Sequence, residues 1–435
     1  MKLRNLSVGI LAAAAVSVPL AMSPAAAETM LYPSLIYRTG AYAPNGIPYA
    51  DGVNDYIALL NQRDGGINGV TIALEECETG YSTDVGVECY ERLKDGGDTG
   101  AAMFNPLSTG ITYQLIPRAP VDEIPVLSMG YGMTAAADGR VFPWIFNFPT
   151  SYWSQASAVI QYMLDEDGGD LSGKTIAHVF HNSPYGKEAN PTLEILSEQF
   201  GYELLLYPVD HPGQEQASTW LQIRRARPDW IFMSGWGVQN QVGIREAAGI
   251  NYPMDHFIGN WWSSSEADVR PAGDGAIGYK GVAFSRPGGD LPLHDEIREL
   301  VHGNGLNTGP LEGVGEVLYN RGVINALFAT EAIRIAMAEF GDKALSGAEV
   351  RWGLENLSVD EARLTELGLP GFTQPIQITC ADHEGNGPVV IQQWDGNQWS
   401  VISDWISPMR DVVRPLIEEA AAAYAAENDI TPRDC

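Results

Sequence analysis

The sequence predicts an α/β protein built as two doubly wound, Rossmann-like lobes joined by a hinge. Two observations carry that expectation. Short apolar runs of strand length alternate with helix-length periodic segments, and they do so in two successive series. The chain has 435 residues, enough for two lobes that each bury a core.

The first series opens with an apolar run at Ser34–Tyr37. A helix is expected over Asp51–Arg63, where Val53, Tyr56, Ile57 and Leu60 fall on one face. The Gly-rich turn Asp64–Gly69 stops it. A strand at Val70–Glu75 and a helix at Ser82–Lys94 follow, then short strands at Ala101–Phe104 and Val126–Met129. The second series begins after Pro149. Trp153, Ala156, Ile160 and Met163 share a helical face. Strands are expected at Thr175–Phe180, Glu203–Tyr207, Trp230–Met233 and His256–Ile258, and helices at Lys187–Phe200, Glu215–Arg227 and Val238–Ala248. Such alternation gives parallel sheets with helices on both faces. A third stretch breaks the pattern. It holds a long helix through Val314, Val317, Leu318, Ile324, Leu327 and Phe328, and another from near Gly347. Strand-like runs follow at Gln374–Thr379, Val389–Trp394 and Trp399–Trp405, with an Asp395-Gly396 hairpin turn between the last two. An Ala-rich helix spans Met409–Asn428.

The N-terminus reads as a secretory signal peptide over residues 1–27. Lys2 and Arg4 precede an apolar run from Leu6 to Met22, and Ala25-Ala26-Ala27 offers small residues for cleavage near Ala27. The expected compartment is the periplasm, and no later stretch suits membrane insertion. A net charge of −29 argues against nucleic acid as a partner, since like charges repel. In an oxidising compartment the four cysteines are expected to form disulfides. Proximity suggests Cys77 with Cys89 and Cys380 with Cys435, one of three possible connectivities.

Catalytic motifs are thin, and no catalytic residue, metal or cofactor is expected. The string Gly273-Asp274-Gly275-Ala276-Ile277-Gly278 mimics a dinucleotide fingerprint, but it precedes an apparent strand instead of following one, so it reads as a loop. Asp210-His211, Asp255-His256 and Asp382-His383-Glu384 are too scattered for a metal site. The aromatic residues say more. Tyr152-Trp153, Tyr185, Trp236 and Trp261-Trp262 follow predicted strands, where a crevice forms in open α/β sheets. Their rings can stack on a ligand while N–H and O–H groups reach its polar atoms.

The order of several segments resembles the type I periplasmic binding proteins for branched-chain amino acids and amides. These are the helix closed by DGGINGV, then EECETG, NPLSTG, IPVLSMG, NSPYGKE, RPDWIFMSGWG and IREAAGI. The resemblance implies an ABC-importer component that captures a small-molecule ligand between its lobes and presents it to permease subunits. It implies one lobe from residues 28–149 with 282–367, and a second from 150–281 with 368–435. It also implies that Ser108 and Thr109 help hold a ligand carboxylate, with Gly130 and Tyr131 in the second half of the cradle. Tyr42, Asn105, Tyr185 and Trp236 join the expected lining, as do Tyr152, Trp153, Trp261 and Trp262.

One departure bears on the ligand. The segments that carry an acidic partner for the ammonium in amino-acid binders read Thr150-Ser151-Tyr152-Trp153 and Asn260-Trp261-Trp262-Ser263 here, with no carboxylate. A buried ammonium without a counter-charge is costly. An aromatic or hydrophobic carboxylate is therefore expected, or a quaternary ammonium caged by rings. Glu266 is the carboxylate that could restore amino-acid binding. A ligand sensor for a membrane receptor is the alternative outside transport.

Overall fold

Two parallel strands start the chain's first sheet. β1 (Thr29–Ile36) pairs with β2 (Thr71–Glu78), Thr29 opposite Thr71 and Ile36 opposite Glu78. The structure, a computed structural model, describes Met1 and residues 28–435. The expected signal peptide at residues 2–27 lies outside the described residues. The sheet extends through parallel bridges from Leu31 to Ala101 and from Ser34 to Asn105. Phe104 then bridges to Val126, and β3 (Val126–Leu127) pairs in parallel with β4 (Ile145–Phe146).

The second sheet has seven strands. They are β5 (Thr175–His181), β6 (Glu203–Val209), β7 (Trp230–Ser234), β8 (Phe257–Gly259), β9 (Lys280–Ala283), β12 (Val390–Trp394) and β13 (Trp399–Val401), the short pair β10 (Ser358–Val359) and β11 (Ile376–Gln377) lying apart. Spatial order is β13-β12-β9-β8-β7-β5-β6. The five strands from β6 to β9 are parallel, as the alternation predicts. β12 and β13 then join antiparallel, because the Asp395-Gly396 turn folds them into a hairpin. The glycine-rich string at 273–278 lies in the short kinked segment Arg270–Ala276 and the residues just after it, ahead of β9.

Two long helices pack against each other beside the first sheet. Ala43–Asp64 packs along Val317–Phe340, the latter buried on nearly every side. The expected helix reaches back to Val314, but the helix begins at Val317, after a tight turn at Leu311–Gly313. Close approach of the two axes depends on missing side chains. A Cβ on Gly52 would overlap the Tyr319 carbonyl, and one on Gly322 would overlap the Tyr49 carbonyl.

The C-terminal helix Arg410–Glu427 packs on elements beside both sheets. Val413 and Ile417 pack on Ala137, and Tyr424 lies 4.8 Å from Phe142, on the first-sheet side. Its start is tied to the second side, where the Met409 N–H donates to Ser157 at 3.0 Å in the helix Tyr152–Glu166. The residues that follow are fixed by the Cys380–Cys435 disulfide, and Cys77 bonds Cys89. Closing a loop of 55 residues stabilises by about 4 kcal/mol through the unfolded chain. The double variant Cys380→Ser/Cys435→Ser is expected to lose most of that in urea unfolding, with Cys77→Ser/Cys89→Ser losing less because its loop spans 12 residues.

Candidate functional site

The carboxyl ends of the strands meet in a buried cluster of rings. Trp261 and Trp262 follow β8, and both indole N–H groups donate to the Gly130 carbonyl, at 2.9 and 2.8 Å. Tyr152 stacks on Trp261 with centroids 5.1 Å apart, and Tyr131 stacks on Trp262 at 4.5 Å. Trp236, after β7, meets the edge of Trp262 at 5.3 Å and of Tyr37 at 6.0 Å. The Tyr185 hydroxyl donates to the Gly235 carbonyl at 2.8 Å and accepts from the Asn260 amide at 2.8 Å. Gly130 has φ of 71°, and its carbonyl can serve two tryptophans because no side chain stands between.

Three further contacts join distant parts of the chain. The Tyr42 hydroxyl hydrogen-bonds His181 Nε2 at 2.8 Å and also His211 Nδ1. Burial lowers the His181 pKa to about 4, so this pair is neutral at physiological pH. The Glu188 carboxylate accepts from the Thr134 hydroxyl at 2.6 Å, from its N–H at 3.1 Å, and from the Tyr113 hydroxyl. Burial raises its pKa despite those donors. Glu266 accepts from the Val317 N–H at 3.0 Å, at the first turn of helix Val317–Phe340.

That last contact has a pH consequence. Burial, with Glu316 adding repulsion, pushes Glu266 up from 4.5 to about 7. Between those values the folded protein holds a proton that the unfolded chain releases. Stability from this group therefore falls as pH rises from 4.5 through about 7. Urea unfolding at about pH 5 and about pH 8 is expected to show the decline, and Glu266→Gln is expected to flatten it.

Not all expected residues gather at the rings. Tyr131, Gly130, Tyr152, Trp236, Trp261 and Trp262 do, Tyr185 borders them 5.4 Å from Tyr152, and Tyr42 connects through Tyr81 at 4.6 Å. Trp153 does not. One residue along a helix turns by about 100°, which sends it to the outer face, where it packs by Ala137, Val413 and Ile417 and donates to the Glu188 carbonyl. Ser108 caps helix Thr109–Leu115 by accepting from the Ile111 N–H at 3.3 Å, and the Thr109 hydroxyl accepts from the Gly132 N–H at 3.1 Å. Asn105 donates to the Tyr49 hydroxyl and to Asn325 Oδ1.

The sequence reading missed Arg321. It is fully buried on helix Val317–Phe340, its guanidinium 5.2 Å from the Trp262 ring and 4.2 Å from Phe284. Nη1 donates to the Trp261 carbonyl at 2.8 Å, while Nε and Nη2 have no acceptor. Burial pulls its pKa down to about 9, which still leaves it charged at neutral pH. A charged residue on a long and largely apolar helix, at Arg321, was the available signal.

Comparison with known proteins fits this architecture. A family model described as "Periplasmic binding protein" matches residues 33–398. A protein of the Pseudomonas fluorescens group, described as an ABC transporter permease, is 43% identical over 94% of this chain and 100% of its own, with a TM-score of 0.88. The fold is shared at 20% identity with a Thermus thermophilus branched-chain amino acid ABC transporter protein with bound valine (88% and 98% covered, TM-score 0.73). It is shared at 15% identity with an R. palustris ABC transporter solute-binding protein in complex with benzoate (87% and 97% covered, TM-score 0.66). No curated protein matches the chain. No helix among the described residues is long and apolar enough to cross a membrane. With two lobes, a ring-lined junction at the strand ends and a family match over most of its length, this chain belongs to the periplasmic binding protein family and is of the solute-binding kind that serves ABC transporters.

Proposed function

We propose that the protein captures an aromatic or hydrophobic carboxylate between its lobes and delivers it to the permease subunits of an ABC importer, without chemical change. The observation that carries this reading is the ring cluster at the lobe junction, where Tyr152 on Trp261 and Tyr131 on Trp262 form two stacked pairs. Flat unsaturated solutes are held by such faces, and a ligand that slides between two lobes shields the rings from water on every side. In this reading residues 28–149 with 282–367 form one lobe and 150–281 with 368–435 the other. The chain is cut near Ala27 and works in the periplasm. Benzoate in the R. palustris relative supports an aromatic acid, whereas valine in the Thermus thermophilus relative supports the second reading, a branched-chain amino acid.

The acidic groups favour the first. Glu188 is held by Thr134 and Tyr113, and Glu266 by Val317. Asp268 accepts from Asn45, Asn240 and Ser265. These three buried acids are each engaged within the fold, so none of them is free to meet an incoming ammonium. Glu266 in particular is turned to helix Val317–Phe340, which speaks against its rescue of amino-acid binding.

Thermal unfolding of residues 28–435 with aromatic acids, aliphatic acids, amides, quaternary amines and α-amino acids tests the reading. Aromatic or hydrophobic carboxylates are expected to raise the Tm. A rise with α-amino acids alone would refute the ligand class and keep the transport role.

A further inference from the structure

The ring cluster holds one full positive charge and no negative one. Among the described residues Arg321 makes no ion pair, and what faces its guanidinium is carbonyl oxygen and the π faces of Trp262 and Phe284. Ring faces and a single carbonyl return only part of what a guanidinium loses on leaving water. Two of its nitrogens have no acceptor at all. Asn325, four residues along on the same face of the helix, also has its amide nitrogen without an acceptor, although its oxygen accepts from Tyr32 at 2.9 Å and Asn105 at 3.0 Å. The Trp236 indole N–H is a fourth unsatisfied donor in the cluster. Native interiors leave few such groups, and these four are all donors. They ask for an acceptor, and the arginine asks for an anion.

We infer that Arg321 is the anchor of the ligand's carboxylate, which docks on its free Nε and Nη2 edge while the ligand body lies among the tryptophan and tyrosine rings. The inference rests on the solute-capture reading above and names the group that selects the acid. A carboxylate suits this edge because its two oxygens match two parallel N–H donors. The binding site then becomes electrically neutral on loading, whereas a zwitterion would import an ammonium with no acid free to meet it. The hydroxyls of Ser108 and Thr109, which family resemblance makes the carboxylate cradle, accept from the Ile111 and Gly132 N–H groups and carry no charge to offset an anion. The unpaired guanidinium edge assigns the acid end of the ligand to the helix Val317–Phe340 side of the junction.

The inference also sets the sign of a stability change. An arginine kept in place for packing would destabilise the protein on removal. One that is buried unpaired, awaiting an anion, is a cost to the empty protein, so an apolar side chain of similar length is expected to stabilise it.

The test uses residues 28–435 with benzoate, its neutral counterpart benzamide, and leucine as probes, in titration calorimetry and thermal unfolding. Wild type is expected to bind benzoate at least about 30-fold more tightly than benzamide. Arg321→Met is expected to abolish that preference, to keep benzamide affinity within about threefold, and to raise the Tm of the empty protein. Arg321→Lys, which keeps charge but not the paired donors, is expected to fall between and covers the case in which the methionine variant fails to fold. Equal binding of benzoate and benzamide by wild type, or an acid preference that survives in Arg321→Met, would overturn the assignment and leave solute capture standing. A lower Tm for the empty methionine variant would overturn it in favour of packing. Binding of leucine alone, with no response to either aromatic probe, would overturn both the assignment and the ligand class on which it rests.

Discussion

Gly322→Val is expected to cost at least about 3 kcal/mol of stability and to leave much of the protein unfolded at 37 °C. A side chain at this position would occupy the space of the Tyr49 carbonyl on helix Ala43–Asp64. That oxygen is main chain, so no rotamer change can clear it. The two helices must separate along their length, and Gly52, which approaches the Tyr319 carbonyl, must separate with them. Loosening this pair strips contacts from the first-lobe core and moves Arg321 and Asn325, which ride on the same helix. Urea unfolding followed by far-UV circular dichroism measures the loss. Gly249→Ala is the control, because a methyl there meets nothing and is expected to leave stability within about 0.5 kcal/mol. Equal stability of Gly322→Val and wild type would mean that the helices are not in the close contact described.

Trp262→Ala is expected to cost about 3–5 kcal/mol, the range for emptying a large aromatic site in a packed interior. The indole is 1% exposed and has three jobs that alanine cannot do. It stacks on Tyr131, offers a face to Arg321, and donates to the Gly130 carbonyl that ties the lobes. Its loss removes one of two indoles from a shared acceptor and leaves the guanidinium with a single ring. Trp153→Ala changes the same residue type outside the cluster, where the ring is only half-buried, and is expected to cost less. Thermal melts of the two variants, with benzoate titrations alongside, check both statements. A Trp262→Ala protein that melts and binds like wild type would remove the ring cluster from any role in holding the lobes or the solute.

Alternating elements were readable along the chain because each strand and helix carries its own period. Trp230–Ser234 is a continuous apolar run and became a central strand. Helix Val238–Gly249 and the Asp395-Gly396 hairpin lie where pattern and turn chemistry put them. The short first-sheet pairings at Ala101, Asn105 and Val126 were readable only as apolar patches, since single bridges leave no alternation to detect. The crevice rings after β7 and β8 were readable because strand ends are identifiable without coordinates. Trp153 was grouped with Tyr152 by adjacency, and helical rotation separated them. Arg321 escaped because the eye follows apolar periodicity on a buried helix, and the informative letters there are the ones that break it: Asn320, Arg321 and Asn325. Polar side chains four apart on an all-round apolar helix are the mark that such a buried group leaves in a sequence.

The helix Arg410–Glu427 constrains how the lobes can move. It is fastened by Met409 to helix Tyr152–Glu166 at one end and rests on Ala137 and Phe142 along its length. In any rotation of one rigid body against another, displacement grows with distance from the axis. A helix attached to both bodies keeps its contacts only if the axis runs close to it. If the lobes open about such an axis, the crevice is expected to widen on the side away from this helix.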